Sequence, residues 1–124
     1  MKDDELDYLI NQLEDRSDIS VAEFDAVVRA LRYVLPDQVS TQADLAKRMN
    51  NTDDAMHIAD HAFPNWSIHI KGRTNDRNGN WQCTIRESDQ RDSGTLIGIG
   101  RSPVLSQAVL AAVLRLAVRQ SQQT

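Results

Sequence analysis

The sequence contains few of the residues on which covalent or metal chemistry depends. One cysteine in 124 residues excludes a disulfide framework within the chain and a zinc site built from several cysteines. Five glycines and three prolines argue against collagen-like or low-complexity character. The remaining composition, 40% hydrophobic and 26% charged, fits one domain, or a small domain with a helical arm, that can form a core without a covalent staple.

Long apolar runs are also missing. The most apolar segment, residues 108–118, has 11 residues and includes Arg115, whereas a membrane span needs about 20 apolar residues. The segment Met1–Glu5 is acidic, unlike the basic start of a secretory signal. We therefore expect a cytoplasmic protein that has no membrane partner.

The net charge of −4 hides an uneven distribution along the chain. Residues 1–63 contain 14 acidic and 6 basic residues, whereas residues 64–124 contain 4 acidic and 8 basic residues. Opposite charges on the two halves favour contact between them, either within one chain or between two copies.

The first half of the chain has the apolar period of helices. The spacing predicts a first helix over residues 4–15 and a second that begins after Ser20, which forms a capping box with Glu23, and ends before Pro36. A third helix is predicted over residues 41–49. A fourth follows it, capped by Thr52 or Asp53, and runs to about Phe63.

After Pro64 the apolar period changes from 3.6 to 2, which is typical of strands. Trp66, Ile68 and Ile70 alternate with polar residues, and so do Trp81, Cys83 and Ile85, so both sets are expected to point inward. A third strand is predicted over Thr95–Gly100. A last helix near Pro103, capped by Ser102, is apolar nearly all round and should be buried.

These elements predict an α+β protein. Residues 1–51 would form an N-terminal helical arm of three helices. Residues 52–124 would form an αβββα domain in which the fourth and last helices cover one face of a three-stranded antiparallel sheet.

The sequence offers only weak signals for catalysis or metal binding. His57 and His61 share a helix face beside Asp60, but the pattern lacks the glutamate and third ligand of a zinc protease motif. Cys83 lies on the inward face of its strand, where cysteine usually acts as a small hydrophobe. No group of residues combines an acid, a base and a nucleophile. We expect no enzyme activity, no metal site and no cofactor.

The polar face of the predicted sheet is the best candidate binding surface. It contains His69, Lys71, Thr84 and Arg86, and the first hairpin loop adds Arg73 and Arg77. Basic strands and loops of this kind can follow a nucleic-acid backbone. The alternatives are a plain solvated sheet face, or a face that docks on the acidic N-terminal helices or on a second copy. The face also lacks aromatic residues for base stacking.

The segment Thr41–Ala59 has the approximate spacing of a helix-turn-helix. Its second helix carries Asp53, Asp54 and Asp60, whose carboxylates would repel phosphates. Two ordinary helices joined by a turn are therefore the favoured interpretation of this segment.

Residues 53–118 resemble a family of small phage and prophage proteins, the phage alpha-beta-alpha sandwich family. The resemblance rests on Trp66, on Trp81–Cys83, on Gly100–Pro103 and on the apolar helix over residues 108–114. It covers about half the chain. Because the family is largely uncharacterised, it implies a fold and a phage-related origin, and no activity.

The order of one helix, three strands and one helix is also similar to the double-stranded-RNA-binding domain. Gly98, Gly100 and Ser102 match the Gly-x-Gly-x-Ser run of that family. The lysine cluster that should follow is replaced by Pro103–Gln107, so the resemblance does not imply RNA binding.

The sequence thus favours a non-catalytic interaction protein of phage-related origin that binds a protein partner or forms a homodimer. The alternative is a nucleic-acid-binding protein that uses the basic sheet face and its loops. A small enzyme is the third hypothesis.

Overall fold

The structure is a computed structural model that describes residues 3–16, 18–34, 51–72, 81–87 and 97–122. In these ranges the elements are α1 (Asp3–Asp15), α2 (Val21–Val34), α3 (Thr52–Ala62), β1 (Ser67–Gly72), β2 (Trp81–Arg86), β3 (Ile97–Ser102) and α4 (Leu105–Gln122). The predicted α+β class, with helices before an antiparallel sheet and a helix after it, is confirmed. The predicted helix over residues 41–49 lies outside the described residues.

The turn between α1 and α2 is fixed by the predicted capping box. The Glu23 amide donates to Ser20 Oγ at 3.2 Å, and the Ser20 amide donates back to Glu23 Oε1 at 3.3 Å. Arg16, at the end of α1, donates to the carboxylates of Glu23 and Asp18 and to Gln12 Oε1. These contacts close the two helices into a hairpin.

The start of α3 differs from the prediction. Asn51, and not Thr52 or Asp53, is the N-cap: its backbone is extended, and its Oδ1 accepts the amides of Asp53 at 2.8 Å and Asp54 at 3.3 Å. An asparagine oxygen here satisfies amides that have no partner within the helix. The helix ends at Ala62, next to the predicted end.

The three strands form an antiparallel sheet in the order β1-β2-β3. The third strand covers Ile97–Ser102 and so continues two residues beyond its predicted end, while Thr95 and Leu96 lie outside the described residues. Ser102 therefore belongs to the strand, and α4 begins at Leu105. The Ser102 hydroxyl still accepts the amide of Val104, at 3.1 Å, in the turn between the two elements.

The last helix, α4, is the centre of the molecule, as its sequence predicts. Its residues from Ser106 to Leu114 are all buried. It packs on β3 and β2 on one side, and α1, α2 and α3 contact it on others. Against the prediction, α3 packs chiefly on α4 rather than on the sheet.

Two glycines bring β3 unusually close to α4. A Cβ on Gly100 would lie 2.1 Å from the carbonyl oxygen of Ala108, and one on Gly98 would lie 2.5 Å from that of Ala112. Side chains at these positions would hold the strand away from the helix, so the glycines and the small helix residues opposite them set the spacing of the two layers.

The inner face of the sheet is only partly covered. Cys83 and Ile85 are fully buried, as predicted, but Ile70 is 40% exposed and Trp81 37% exposed, which corrects the expectation that both point into the core. The reason is that α4 lies over β3 and β2, whereas β1 contacts chiefly β2.

The N-terminal helices share one continuous core with the rest of the described chain. Leu6, Ile10 and Leu13 of α1 and Phe24 and Leu31 of α2 belong to the same buried cluster as the apolar residues of α4. The boundary between residues 51 and 52 stays a prediction, but α1 and α2 are packed on α4 and do not project as a free arm.

Candidate interaction surfaces

The outer face of the sheet brings together the described members of the predicted binding set. Residues directly opposite each other in an antiparallel pair lie on the same face. The register pairs His69 with Thr84, and Lys71 with Gln82, while Arg86 lies opposite Ser67. The four described candidates, His69, Lys71, Thr84 and Arg86, thus share one face; Arg73 and Arg77 lie outside the described residues.

The third strand adds residues that the sequence analysis did not assign to this face. Arg101 lies opposite Gln82 and donates from Nε to its Oε1 at 3.1 Å. Ile99 and Ile97 lie opposite Thr84 and Arg86, and both are half-buried. The period-2 pattern around Gly98 and Gly100 contained this signal, because inward glycines place their neighbours outward. The face is therefore basic, with an apolar border along β3.

The free edge of β3 is closed by charged side chains of α1 and α4. Arg115 donates to the Ile99 carbonyl at 2.6 Å, and Arg119 donates to the Ile97 carbonyl at 2.9 Å. The Arg101 amide donates to the Glu14 carboxylate at 3.0 Å. These side chains occupy positions at which an added strand would hydrogen-bond, which is one way in which proteins protect a sheet edge.

Glu14 and Arg115 form an ion pair that joins α1 to α4. Their two hydrogen bonds are each 2.8 Å long and bidentate, the geometry in which arginine binds carboxylates best. Burial alone would raise the pKa of Glu14, but the hydrogen bonds from Arg115 and from the Arg101 amide, together with their charge, hold it below its ordinary value. A groove of about 500 Å³ lies beside the pair. Because both carboxylate oxygens of Glu14 already accept hydrogen bonds from within the chain, we assign the pair a structural role.

Gln107 fixes the end of α1 from the interior. It is 1% exposed, and its Nε2 donates to the carbonyl of Leu13 at 2.9 Å and to that of Arg16. The last carbonyls of a helix have no partner within it, so a buried amide from another element satisfies them. Gln107 and Arg115 thus attach α1 firmly to α4.

A second open surface lies between α1 and α2. A groove of about 450 Å³ is lined by Asp4, Glu5, Tyr8, Leu9, Ala26 and Arg29. A smaller pocket of about 150 Å³ adjoins it and shares Tyr8, Leu9 and Ala26. The groove exists because α1 and α2 each pack more closely on α4 than on each other. No signal in the sequence identifies this groove, because it depends on the angle between two helices.

The candidate groups for catalysis and metal binding are not brought together. Cys83 is fully buried, and burial raises the pKa of its thiol to about 12, so it is not a nucleophile at neutral pH. His57 and His61 are exposed on α3. In the part of the chain that the structure describes, no three His, Cys, Asp or Glu residues are placed to hold a metal ion.

None of the described helices is long and apolar enough to cross a membrane. The segment Thr41–Ala59, for which the sequence favours two ordinary helices over a helix-turn-helix, falls largely outside the described residues, which include only its second helix. No family model, curated protein or solved structure matches the chain. The resemblance to phage proteins therefore stays a prediction.

Proposed function

We propose that this protein is a non-catalytic, cytoplasmic interaction module that binds an apolar segment of a protein in the groove between α1 and α2. The observation that carries this proposal is the groove itself. Its floor, made by Leu9 and Ala26, is only half-buried, and Tyr8 beside it is 63% exposed. Exposed apolar grooves with a polar rim are typical of protein interaction sites.

The residue types around the groove support a protein as ligand. The chain has two tyrosines, and both are exposed: Tyr8 lines the groove, and Tyr33, 58% exposed, follows Ala26 and Arg29 at helical spacing on the same side of α2. Tyrosine and arginine are enriched at the centres of protein interfaces, and tyrosine buries a large area there at low entropic cost.

Site-specific photo-crosslinking tests this proposal. A benzophenone amino acid replaces Tyr8 in the groove or, as a control, the exposed His57 on α3, in cells that produce the protein. We expect irradiation to give one adduct of defined mass from position 8 and none from position 57. Equal labelling at the two positions, or no adduct at position 8, would refute the proposal.

A phage-related origin is a further part of the proposal, supported by the motifs shared with the phage alpha-beta-alpha sandwich family. It is tested by the genes beside the coding sequence. Neighbouring phage structural genes support this origin. A neighbourhood in related genomes that contains no phage genes contradicts it.

Nucleic-acid binding at the outer sheet face is the second candidate function. It is favoured by a specific observation: the three strands contain no aspartate or glutamate, while Lys71, Arg86 and Arg101 share one face. Such a face attracts phosphates, and displacement of counterions makes the binding salt-dependent.

The double variant Lys71→Ala and Arg86→Ala tests the second function. We expect it to weaken binding of duplex DNA or RNA at low salt and to reduce the dependence of the affinity on salt. Absence of any shift with the unmodified protein at low salt would eliminate this function. The variant Arg29→Ala, whose side chain lies in the groove, is the matched control for the single variant Lys71→Ala, since each loses one positive charge.

A further inference from the structure

We propose that the occupant of the groove between α1 and α2 is the same groove of a second copy, so that the two hairpins form a symmetric four-helix interface. This inference rests on the proposed function, since it names the partner of the same site. It follows from where the charged residues lie at the rim of the groove.

The two walls of the groove carry opposite charge. Asp4 and Glu5 line it from α1, and Arg29 lines it from α2. Arg29 has a single weak contact in the described structure, an exposed pair with Asp25 at 3.5 Å. Pairs of this kind stabilise little, so Arg29 is available to another carboxylate.

The hairpin geometry makes this pattern self-complementary. Because α1 and α2 are antiparallel, the start of α1 lies beside the later part of α2, and Asp4, Glu5 and Arg29 occupy the same level of the groove. A two-fold axis along the groove places each α1 over the α2 of the other copy. Each Arg29 then faces the Asp4 and Glu5 of the other copy, so one contact forms twice, as isologous interfaces require.

The apolar residues fit the same arrangement. Tyr8 and Ala26 lie on the side of the hairpin away from α4, because Leu6, Ile10 and Val27 are the residues buried in the core; Leu9 is half-buried and packs against that core from the groove. Two such faces brought together bury both sets of apolar side chains. Every neighbouring pair of helices is then antiparallel, the usual arrangement of four-helix bundles.

Charge reversal with a mixing step tests this inference. The variant R29E puts like charges on both walls, and so does the double variant D4K/E5K, so each is expected to weaken self-association about tenfold or more. When the two variants are mixed, each reversed wall meets a wall of opposite charge in the other chain. We therefore expect the mixture to form heterodimers about as strongly as the unmodified protein forms homodimers.

Sedimentation equilibrium supplies the readout, as a mass twice the 14.0 kDa of one chain. All substituted residues are exposed and the fold is expected to persist, which circular dichroism checks. The control D60K changes an exposed carboxylate of α3 outside the groove and should associate like the unmodified protein.

Three results would overturn the inference: a monomer at every concentration, a mixture that stays monomeric, or a loss of association in D60K equal to that in R29E. A monomeric protein that still gives a crosslink from Tyr8 to a different protein refutes the second copy as occupant and leaves the proposed function intact. A monomeric protein that gives no such crosslink refutes both.

Discussion

The contact between β3 and α4 yields the sharpest stability prediction, for the substitution Gly100→Ala. The added methyl group would lie 2.1 Å from the Ala108 carbonyl oxygen and 2.5 Å from the Ala112 amide nitrogen, against ordinary contacts of 3.4 Å or more. Both atoms belong to the backbone of the buried stretch of α4, residues 106–114, and cannot rotate away. The strand and the helix must therefore separate by roughly 1 Å, in a core that is close-packed.

The size of the effect follows from two opposing contributions. Overpacking of a close-packed core typically costs about 1–3 kcal/mol and occasionally more. Removing a glycine from a strand returns about 0.5–1 kcal/mol through the entropy of the unfolded chain. Because the clash is with backbone atoms, we place the cost at the upper end and expect a net loss of about 2 kcal/mol in the free energy of unfolding.

Gly72→Ala is the matched control. Its added methyl group would also make a short contact, 2.5 Å, but with the ring of Trp81, a side chain that is 37% exposed and can move. We expect a loss below about 1 kcal/mol for this variant. Urea denaturation of the three proteins measures both values. If Gly100→Ala is as stable as the unmodified protein, or no less stable than Gly72→Ala, the close contact does not set the spacing of the layers.

Three further predictions concern Glu14, Asn51 and Cys83. Glu14→Gln should lower the free energy of unfolding by about 1–3 kcal/mol at pH 7. Because folding lowers the pKa of Glu14, the stabilisation by its carboxylate is complete above the ordinary pKa of 4.5 and is lost as the pH falls through the lower folded pKa. The urea midpoints of the two proteins should therefore converge in acid. Asn51→Ala should cost about 1 kcal/mol and Thr52→Ala clearly less, and the reverse order in urea denaturation would contradict the assigned cap. Cys83 should react with a thiol reagent at pH 8 only after denaturant is added, and fast labelling of the native protein would refute its burial.

Local signals in the sequence predicted local structure well where only one residue could play the role. Ser20 and Glu23 form a capping box because both partners lie within one turn, and the structure confirms it. At the start of α3, Asn51, Thr52 and Asp53 all have cap chemistry. Which of them caps depends on the residue whose backbone is extended, and no composition or spacing rule decides that.

Contacts between distant parts of the chain could not be predicted from the sequence. Arg115 is the one charged residue of the apolar segment 108–118, which indicates a partner, because a charge that is partly buried without one is costly. Its partner Glu14 lies 101 residues away and is one of many acidic residues in the first half. Trp81 shows the same limit: its alternation predicts an inward face, but only the position of α4 decides how much of that face is covered.

The uneven charge of the chain can now be placed on the structure. The Glu14 carboxylate of α1 binds Arg115 in the basic second half of the chain. The carboxylates of Asp4 and Glu5 line the groove between α1 and α2 instead. The basic outer face of the sheet lies on the opposite side of the sheet from α4, on which α1 and α2 pack. Among the described residues, these two acidic helices meet that face chiefly along β3, where Glu14 and Asp15 of α1 lie beside Arg101, and not at Lys71 or Arg86. Dimerisation through the groove would leave both outer faces free, so a polyanion and a second copy would not compete for the same surface.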